Sequence, residues 1–219
     1  MVYSANIPPT GASVSESPFV RDLEVIAMMA DWQIMAAVTR GTNYIRDLSE
    51  TFLPQEPRED DDAYQTRIDR SVLSPYTSRL IETAAGAILR KPIHIEGDDY
   101  WIELSDNIDG IGSNINEYAR RALVSSLTYG HSAILVDYPA ATGARNLAEE
   151  RAMGRRPYFV HVDAAQIWGW RQADYTMPGS PLTQVRIHEY ATRPLNDFGE
   201  EQVEQMRVIY PGRYDLYTL

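Results

Sequence analysis

The sequence predicts an α+β fold: a helical N-terminal half, residues 18–130, followed by a mixed, largely antiparallel sheet with flanking helices, residues 131–219. Apolar residues recur at helical spacing through the first half, whereas the second half contains short segments rich in β-branched and aromatic residues. With 219 residues, 44% hydrophobic and 23% charged, the chain has the composition of a globular protein with a sizeable core. We expect residues 1–17 to form a flexible polar arm. We also expect a soft boundary between the helical and the sheet-rich parts, near residues 105–112 or near residues 140–155.

The first predicted helix begins at Ser17-Pro18, a hydroxyl N-cap followed by proline at the first helical position. Gly41 interrupts this helix, and a short continuation follows through Leu48. Its predicted apolar stripe comprises Leu23, Ile26, Ala27, Ala30, Ile34 and Ala37, widened by Trp32 and Met35.

Two more helices follow a proline-broken loop. The acidic run at residues 59–62 suits the positive end of a helix dipole, and it precedes apolar positions on one face, Tyr64, Ile68 and Val72. Ser74-Pro75 predicts the start of the third helix, which ends at residues 90–97 in a short extended piece. The apolar positions of that helix are Leu80, Ile81, Ala84, Ala85 and Ile88.

The stretch LTYGHSAILVDYP, residues 127–139, joins the two halves. A fourth helix, capped by Ser113 or Asn114, precedes it, and Gly130 is a natural residue to end that helix because glycine tolerates the left-handed conformation. The short apolar run after Gly130 predicts a buried strand.

The second half is predicted to alternate strands with turns. Residues 144–153 have the pattern of a charged surface helix stopped by Gly154. Strands are predicted in PYFVHVD, IWGWR, LTQVRIHEYA, QMRVIY and RYDLYTL, and the last two should form a hairpin around Pro211-Gly212. Because RYDLYTL stops within a predicted strand, we expect the chain to be the N-terminal part of a longer one.

Charge and cysteine content limit the classes of function. The formal net charge of −11 disfavours tight binding to duplex DNA, because proteins that bind DNA neutralise its phosphates with a surplus of cations. The absence of cysteine favours a cytosolic origin, and the chain lacks a signal-peptide pattern or an apolar run of roughly 18 to 20 residues that could span a membrane.

Four residues are candidates for chemistry: His131, Asp137, His161 and Asp163. His161 and Asp163 share one face of a predicted strand, and Asp137 could neighbour them, so a metal site or a catalytic dyad is conceivable. Their spacing matches no zinc-protease motif, zinc ribbon or nucleophile elbow, and solvated strand faces often carry such alternation. We therefore predict no catalytic, cofactor-binding or metal-binding residue and no enzyme activity.

Nucleotide and calcium motifs are also missing. The chain has no GxxxxGK[ST] loop, and the GIG at residues 110–112 lacks the preceding strand and third glycine of a dinucleotide fingerprint. The loop DNIDGIGSN fails as a calcium loop because Ile108 and Gly110 stand where oxygen ligands are needed after Asp106.

The order of several segments resembles the portal proteins of tailed bacteriophages. The resemblance runs from Asp31 to Tyr190, and more weakly through the final hairpin. Its pieces are DWQIMAAVTRGTNYIRDL, LPQEPREDDDAYQTRIDRSVLSPYTSRLIETAAGAILRKP, NIDGIGSNINEYARRALVSSLTYGHSAILVDYP, RPYFVHVDAAQIWGWR and LTQVRIHEY. Their joint order, more than any single motif, carries the resemblance.

The resemblance implies a wing-like subunit of a homo-oligomeric ring, usually a dodecamer, at one capsid vertex. Such a ring lets double-stranded DNA pass without sequence-specific binding, and it meets capsid protein, the terminase packaging motor and a head–tail adaptor. It implies location in the virion, and in the host cytoplasm during assembly, with no membrane partner. Portal chains continue into two long channel helices, which this sequence does not show. The alternatives are a hydrolase or metal-dependent enzyme using the four candidates above, or another phage head–tail adaptor protein.

Overall fold

In the computed structural model, residues 17–139, 143, 146, 149 and 153–219 are described. The predicted arm, apart from Ser17, and most of the predicted helix at residues 144–153 lie outside this range. The described elements confirm the α+β class, with helices in the first half and two antiparallel sheets after them. No helix within the described ranges is long and apolar enough to cross a membrane.

The elements follow one another in the predicted general order. The helices are α1 (Leu23–Arg40), α2 (Thr42–Asp47), α3 (Ser49–Phe52), α4 (Asp61–Arg70), α5 (Tyr76–Ile88), α6 (Asp99–Asp106) and α7 (Ile115–Tyr129). The strands are β1 (Ser132–Asp137), β2 (Tyr158–Asp163), β3 (Ile167–Gln172), β4 (Leu182–Pro194), β5 (Glu200–Tyr210) and β6 (Arg213–Thr218), with a 3₁₀ turn at Ala164–Gln166.

The described chain forms two compact units, and α1 contributes to both of them. One unit comprises residues 31–164 and the other comprises residues 17–30 with 165–219. Both positions predicted for the soft boundary, near residues 105–112 and near 140–155, fall within the residue range of the first of these units.

The unit of residues 31–164 contains helices α2 to α7 and a two-stranded antiparallel ribbon of β1 and β2. Helix α7 packs against both strands of the ribbon and against α5. The core of this unit contains Leu104, Ile108 and Tyr118, which are buried together and pack against Tyr100 and Phe159. Ile108 belongs to the loop that follows α6, so part of this loop is buried.

The other unit is built on a four-stranded antiparallel sheet in the order β3-β4-β5-β6. Its core contains Trp168, Met206 and Val208, which pack against Phe19 and Tyr210. The predicted final hairpin is confirmed: Tyr210 pairs with Arg213 across Pro211-Gly212. Gly212 has φ +79°, a conformation that glycine adopts without the steric cost of a side chain.

Local signals around α7 correctly predicted its two ends. The Asn114 side chain accepts hydrogen bonds from the N–H groups of Asn116 and Glu117, and the Glu117 carboxylate accepts one from the Asn114 N–H. This reciprocal arrangement is a capping box. At the other end Gly130 is left-handed, with φ +86°.

The start of α1 was predicted wrongly, and its buried face was predicted correctly only in part, since Trp32 and Ala37 are buried as predicted. The helical hydrogen bonds of α1 begin at the Asp22 carbonyl, which accepts from the Ile26 N–H. The Ser17 hydroxyl accepts from the Phe19 N–H in a turn that precedes the helix, so Ser17 does not cap α1. The buried residues are Val25, Trp32, Ala36 and Ala37, while the predicted Leu23, Ile26, Ala27, Ala30 and Ile34 are exposed. Because α1 is apolar around most of its circumference, spacing alone did not select the face that packs.

Three further expectations need correction. Strand β1 is only half-buried, since one face of the ribbon packs on α7 and Ile134 and Val136 are exposed. On α5 the buried residues are Ile81 and Ala85, whereas Leu80 and Ile88, predicted as apolar core positions, are exposed, as is Val72 beyond the end of α4. The sequence also gave no prediction of α6, which is short.

Candidate functional site

The four candidate residues lie at different positions along the β1–β2 ribbon. Ser132, next to His131, pairs with Asp163, whereas Asp137 pairs with Tyr158 at the opposite end. Five residues of antiparallel strand separate these two rungs, about 17 Å at about 3.4 Å per residue. The ribbon therefore does not bring Asp137 to His161 and Asp163, and the expectation that it could neighbour them is wrong.

His161 and Asp163 do lie together, and a serine joins them. The Nδ1 atom of His161 is 3.8 Å from Oδ1 of Asp163, and that same oxygen accepts a 2.7 Å hydrogen bond from the Ser125 hydroxyl on α7. Burial lowers the pKa of His161, a trend that the Asp163 charge opposes and the Arg121 charge reinforces. The cluster thus holds a buried imidazole whose charged form is disfavoured near a partly exposed carboxylate.

His131 occupies an aromatic environment at the end of α7. Its ring lies 5.5 Å from the ring of Trp32, and the Trp32 indole N–H donates a 3.0 Å hydrogen bond to the Tyr129 carbonyl. Burial lowers the pKa of His131 as well. His131 lies in the turn between α7 and β1, where its contact with Trp32 is a packing interaction.

The Ser125–Asp163–His161 cluster has the wrong connectivity for nucleophilic catalysis. A catalytic serine gives its proton to a histidine that a third group orients. Here the Ser125 hydroxyl donates its hydrogen bond to the carboxylate of Asp163, and the His161 ring lies beside the same carboxylate. The serine proton is therefore directed at the aspartate and not at the histidine. The arrangement connects α7 to β2 within one unit.

The candidate residues do not belong to a cluster of metal ligands in the described part of the chain. Among the described residues, no three His, Cys, Asp or Glu side chains are grouped closely enough to hold a metal ion. A groove of about 590 Å³ runs between residues 89–95, α6 and the start of α7, and its lining includes His94 and Arg90. None of the four candidates lines that groove.

The loop between α6 and α7 contains a buried carboxylate that the sequence did not single out. Asp109 Oδ1 accepts hydrogen bonds from the N–H groups of Ile111 and Ser113, at 3.1 and 3.0 Å, and Arg121 approaches Oδ2 at 3.3 Å. Burial alone would raise the pKa of Asp109, but the Ser113 hydroxyl, these N–H groups and Arg121 together lower it to about 2. The position fits a turn that is held by its own carboxylate.

Exposed apolar side chains form the other prominent surface feature. Large apolar residues that are exposed outnumber those that are buried within the described ranges. They include a stripe on α5 and the tip of the β4–β5 hairpin, and neither was predicted as a surface.

No family model matches the chain, and no curated protein matches it significantly.

Proposed function

We propose that the chain is a structural subunit of a bacteriophage portal ring at the capsid vertex. The observation that carries the proposal is the joint order of segments between Asp31 and Tyr190, which resembles the portal wing. The α+β architecture is compatible with it, with helices before α7, then the β1–β2 ribbon, then a sheet. In this role the chain acts by geometry and electrostatics, and it carries out no covalent step.

Exposed apolar surface supports a role in assembly. On α5, Tyr76 and Leu80 are exposed one helical turn apart, and Leu195 and Phe198 are exposed together near the tip of the β4–β5 hairpin. In a ring each subunit presents two different surfaces to its two neighbours, and such contacts bury apolar side chains. The subunit would use further surfaces for capsid protein, the terminase motor and a head–tail adaptor.

The acidic balance supports passage of DNA as opposed to retention. At a net charge of −11 the chain repels a polyanion, so DNA crossing a channel lined by such subunits would meet few strong contacts. This agrees with non-specific passage of double-stranded DNA in a particle assembled in the host cytoplasm and present in the virion.

Sequence downstream of Leu219 offers the quickest test of the proposal. A portal subunit continues into two long helices that line the channel, so we expect such helices to follow in the gene. A downstream sequence without them would favour the head–tail adaptor alternative.

Oligomeric state provides the second test. By native mass spectrometry at micromolar concentration, the full-length protein should form rings on the order of twelve subunits, since repeated head-to-tail contacts close by rotation. Residues 1–219 alone should be mostly monomeric or weakly associating, because partial interfaces fall below the roughly 1,000 Å² that stable contacts need. A full-length protein that remains a monomer or a compact dimer would contradict the proposal.

A further inference from the structure

Strands β4 and β5 extend beyond the sheet as a two-stranded arm. Strand β3 pairs with β4 only as far as Ile187, and β6 pairs with β5 only from Gln205 onward. The Glu204 carbonyl still accepts a hydrogen bond from the Leu219 N–H, but from the Ala191–Val203 rung to the Pro194–Glu200 rung the two strands pair only with each other. A lone two-stranded ribbon is marginally stable in water, so an arm of residues 190–204 gains stability when a further surface covers it.

The tip of this arm presents apolar side chains on an ordered turn. Phe198 is fully exposed and Leu195 is 67% exposed. The Asn196 side-chain oxygen accepts hydrogen bonds from the N–H groups of Phe198 and Gly199, at 3.0 and 2.7 Å, and Leu195 N–H donates to the Gly199 carbonyl. The backbone thus holds an aromatic side chain outward, at an entropic and solvation cost that a partner surface would remove.

Helix α5 presents an exposed stripe of large and small side chains. Tyr76 and Leu80 are 74% and 69% exposed, and Thr83 and Ala87, also exposed, continue the same stripe at helical spacing. An aromatic ring that packs over the two small side chains would contact Leu80, one turn away on the same stripe.

Charge favours a contact between the arm and the segment that contains α5. Residues 190–204 contain four carboxylates and one arginine, a net charge of −3 from one minus four. Residues 72–91 contain Arg79, Arg90 and Lys91 against Glu82, a net charge of +2 from three minus one, in a chain whose total is −11. Arg79 and Glu82 balance within α5, so this surplus comes from the two cations that follow the end of the helix. Helix α1 has two acidic residues against one arginine, a net charge of −1 from one minus two, and attracts an acidic arm less.

We propose that the arm of one copy docks its Phe198 tip onto the α5 face of a second copy. The two surfaces differ, so the contact is head-to-tail and propagates from copy to copy until rotation closes it. This inference rests on the proposed ring, for which it names the contact between neighbouring subunits.

Directed cross-linking tests this contact in the chain as it exists, because the sequence contains no cysteine. One variant carries Asp197→Cys, an exposed tip position that leaves Phe198 in place, and a second carries Thr83→Cys, so that a mixed disulfide forms only between two molecules. The control pairs Asp197→Cys with Ile111→Cys, an 85% exposed position in the same unit as α5. Docking holds the first pair of thiols together, so its disulfide should form at least about tenfold faster under mild oxidation.

Charge reversal sharpens the test. Arg79→Glu in the chain that carries Thr83→Cys should slow the mixed disulfide severalfold, and Glu201→Arg in the arm chain should restore its rate. Equal rates for the test and control pairs would overturn the inference, as would preferential Asp197→Cys homodimers, which indicate an arm-to-arm contact.

Failure of this inference is distinguishable from failure of the ring. If full-length protein still forms rings in native mass spectra while the Asp197→Cys and Thr83→Cys pair matches its control, the ring uses another surface and only the docking inference falls. If the full-length protein forms no ring and the pair again matches its control, both proposals fall.

Discussion

The buried carboxylate of Asp109 allows a quantitative prediction about stability. Its side chain is only 4% exposed and accepts hydrogen bonds that favour the charged form. A carboxyl whose pKa falls from its ordinary 3.8 to about 2 on folding contributes about 2 kcal/mol to stability at pH 7, since one pKa unit is equivalent to about 1.4 kcal/mol. Asp109→Asn keeps the shape of the side chain and removes the charge. We therefore expect the variant to lose about 2 kcal/mol at pH 7.

The pH dependence gives this prediction its sign. Because the folded pKa is lowered, the contribution is present above the unfolded pKa of 3.8 and is lost as pH falls towards 2. The stability gap between wild type and Asp109→Asn should therefore narrow by about 1 kcal/mol between pH 7 and pH 3.

Urea unfolding of both proteins, monitored by fluorescence at each pH, measures the gap. Asp31→Asn, an exposed carboxyl on α1, serves as the control and should change stability by less than about 0.5 kcal/mol. An Asp109→Asn protein as stable as wild type at pH 7, or a gap that does not change with pH, would refute the electrostatic account of this loop.

Four further measurements follow from the same structure. Burial lowers the pKa of His161, so below pH 6.5 the unfolded chain binds a proton at this residue more readily than the folded chain does. The free energy of unfolding should therefore fall between pH 7 and pH 5, and it should fall less steeply in the His161→Gln variant. Met206→Ala should cost about 2 to 4 kcal/mol of unfolding free energy, whereas Met177→Ala, at an exposed position, should stay within about 0.5. With a net charge of −11 the chain should not retard duplex DNA at physiological salt, and a steep salt-dependent retardation would reveal a basic face that outweighs this balance. Protein purified without chelator should contain no stoichiometric transition metal and show no activity in a hydrolase screen; a bound metal, or an activity abolished by His161→Ala or Asp137→Ala, would favour the enzyme alternative.

Features that depend on neighbouring residues were predictable from the sequence. The capping box of Asn114 and Glu117, the left-handed Gly130 and the Pro211-Gly212 hairpin all arise from interactions within a few residues. Local backbone geometry and side-chain hydrogen bonds decide such features wherever the segment lies in the fold. The α+β class followed as well, because the spacing of apolar residues differs between helices and strands.

Features that depend on which surfaces meet required the tertiary structure. Helix α1 is apolar on most sides, so only packing selected Val25 and Ala36 as buried residues and left Leu23 and Ile26 exposed. The antiparallel register placed Asp137 opposite Tyr158, a full strand away from Asp163, although sequence alone left them free to meet. A period of two or 3.6 residues tells which side chains share a face, but it carries no information about the partner of that face. For that reason the sequence alone determined most of the helices and strands and the two ends of α7, and the fold decided which side chains share the α7–ribbon cluster and which apolar faces stay exposed.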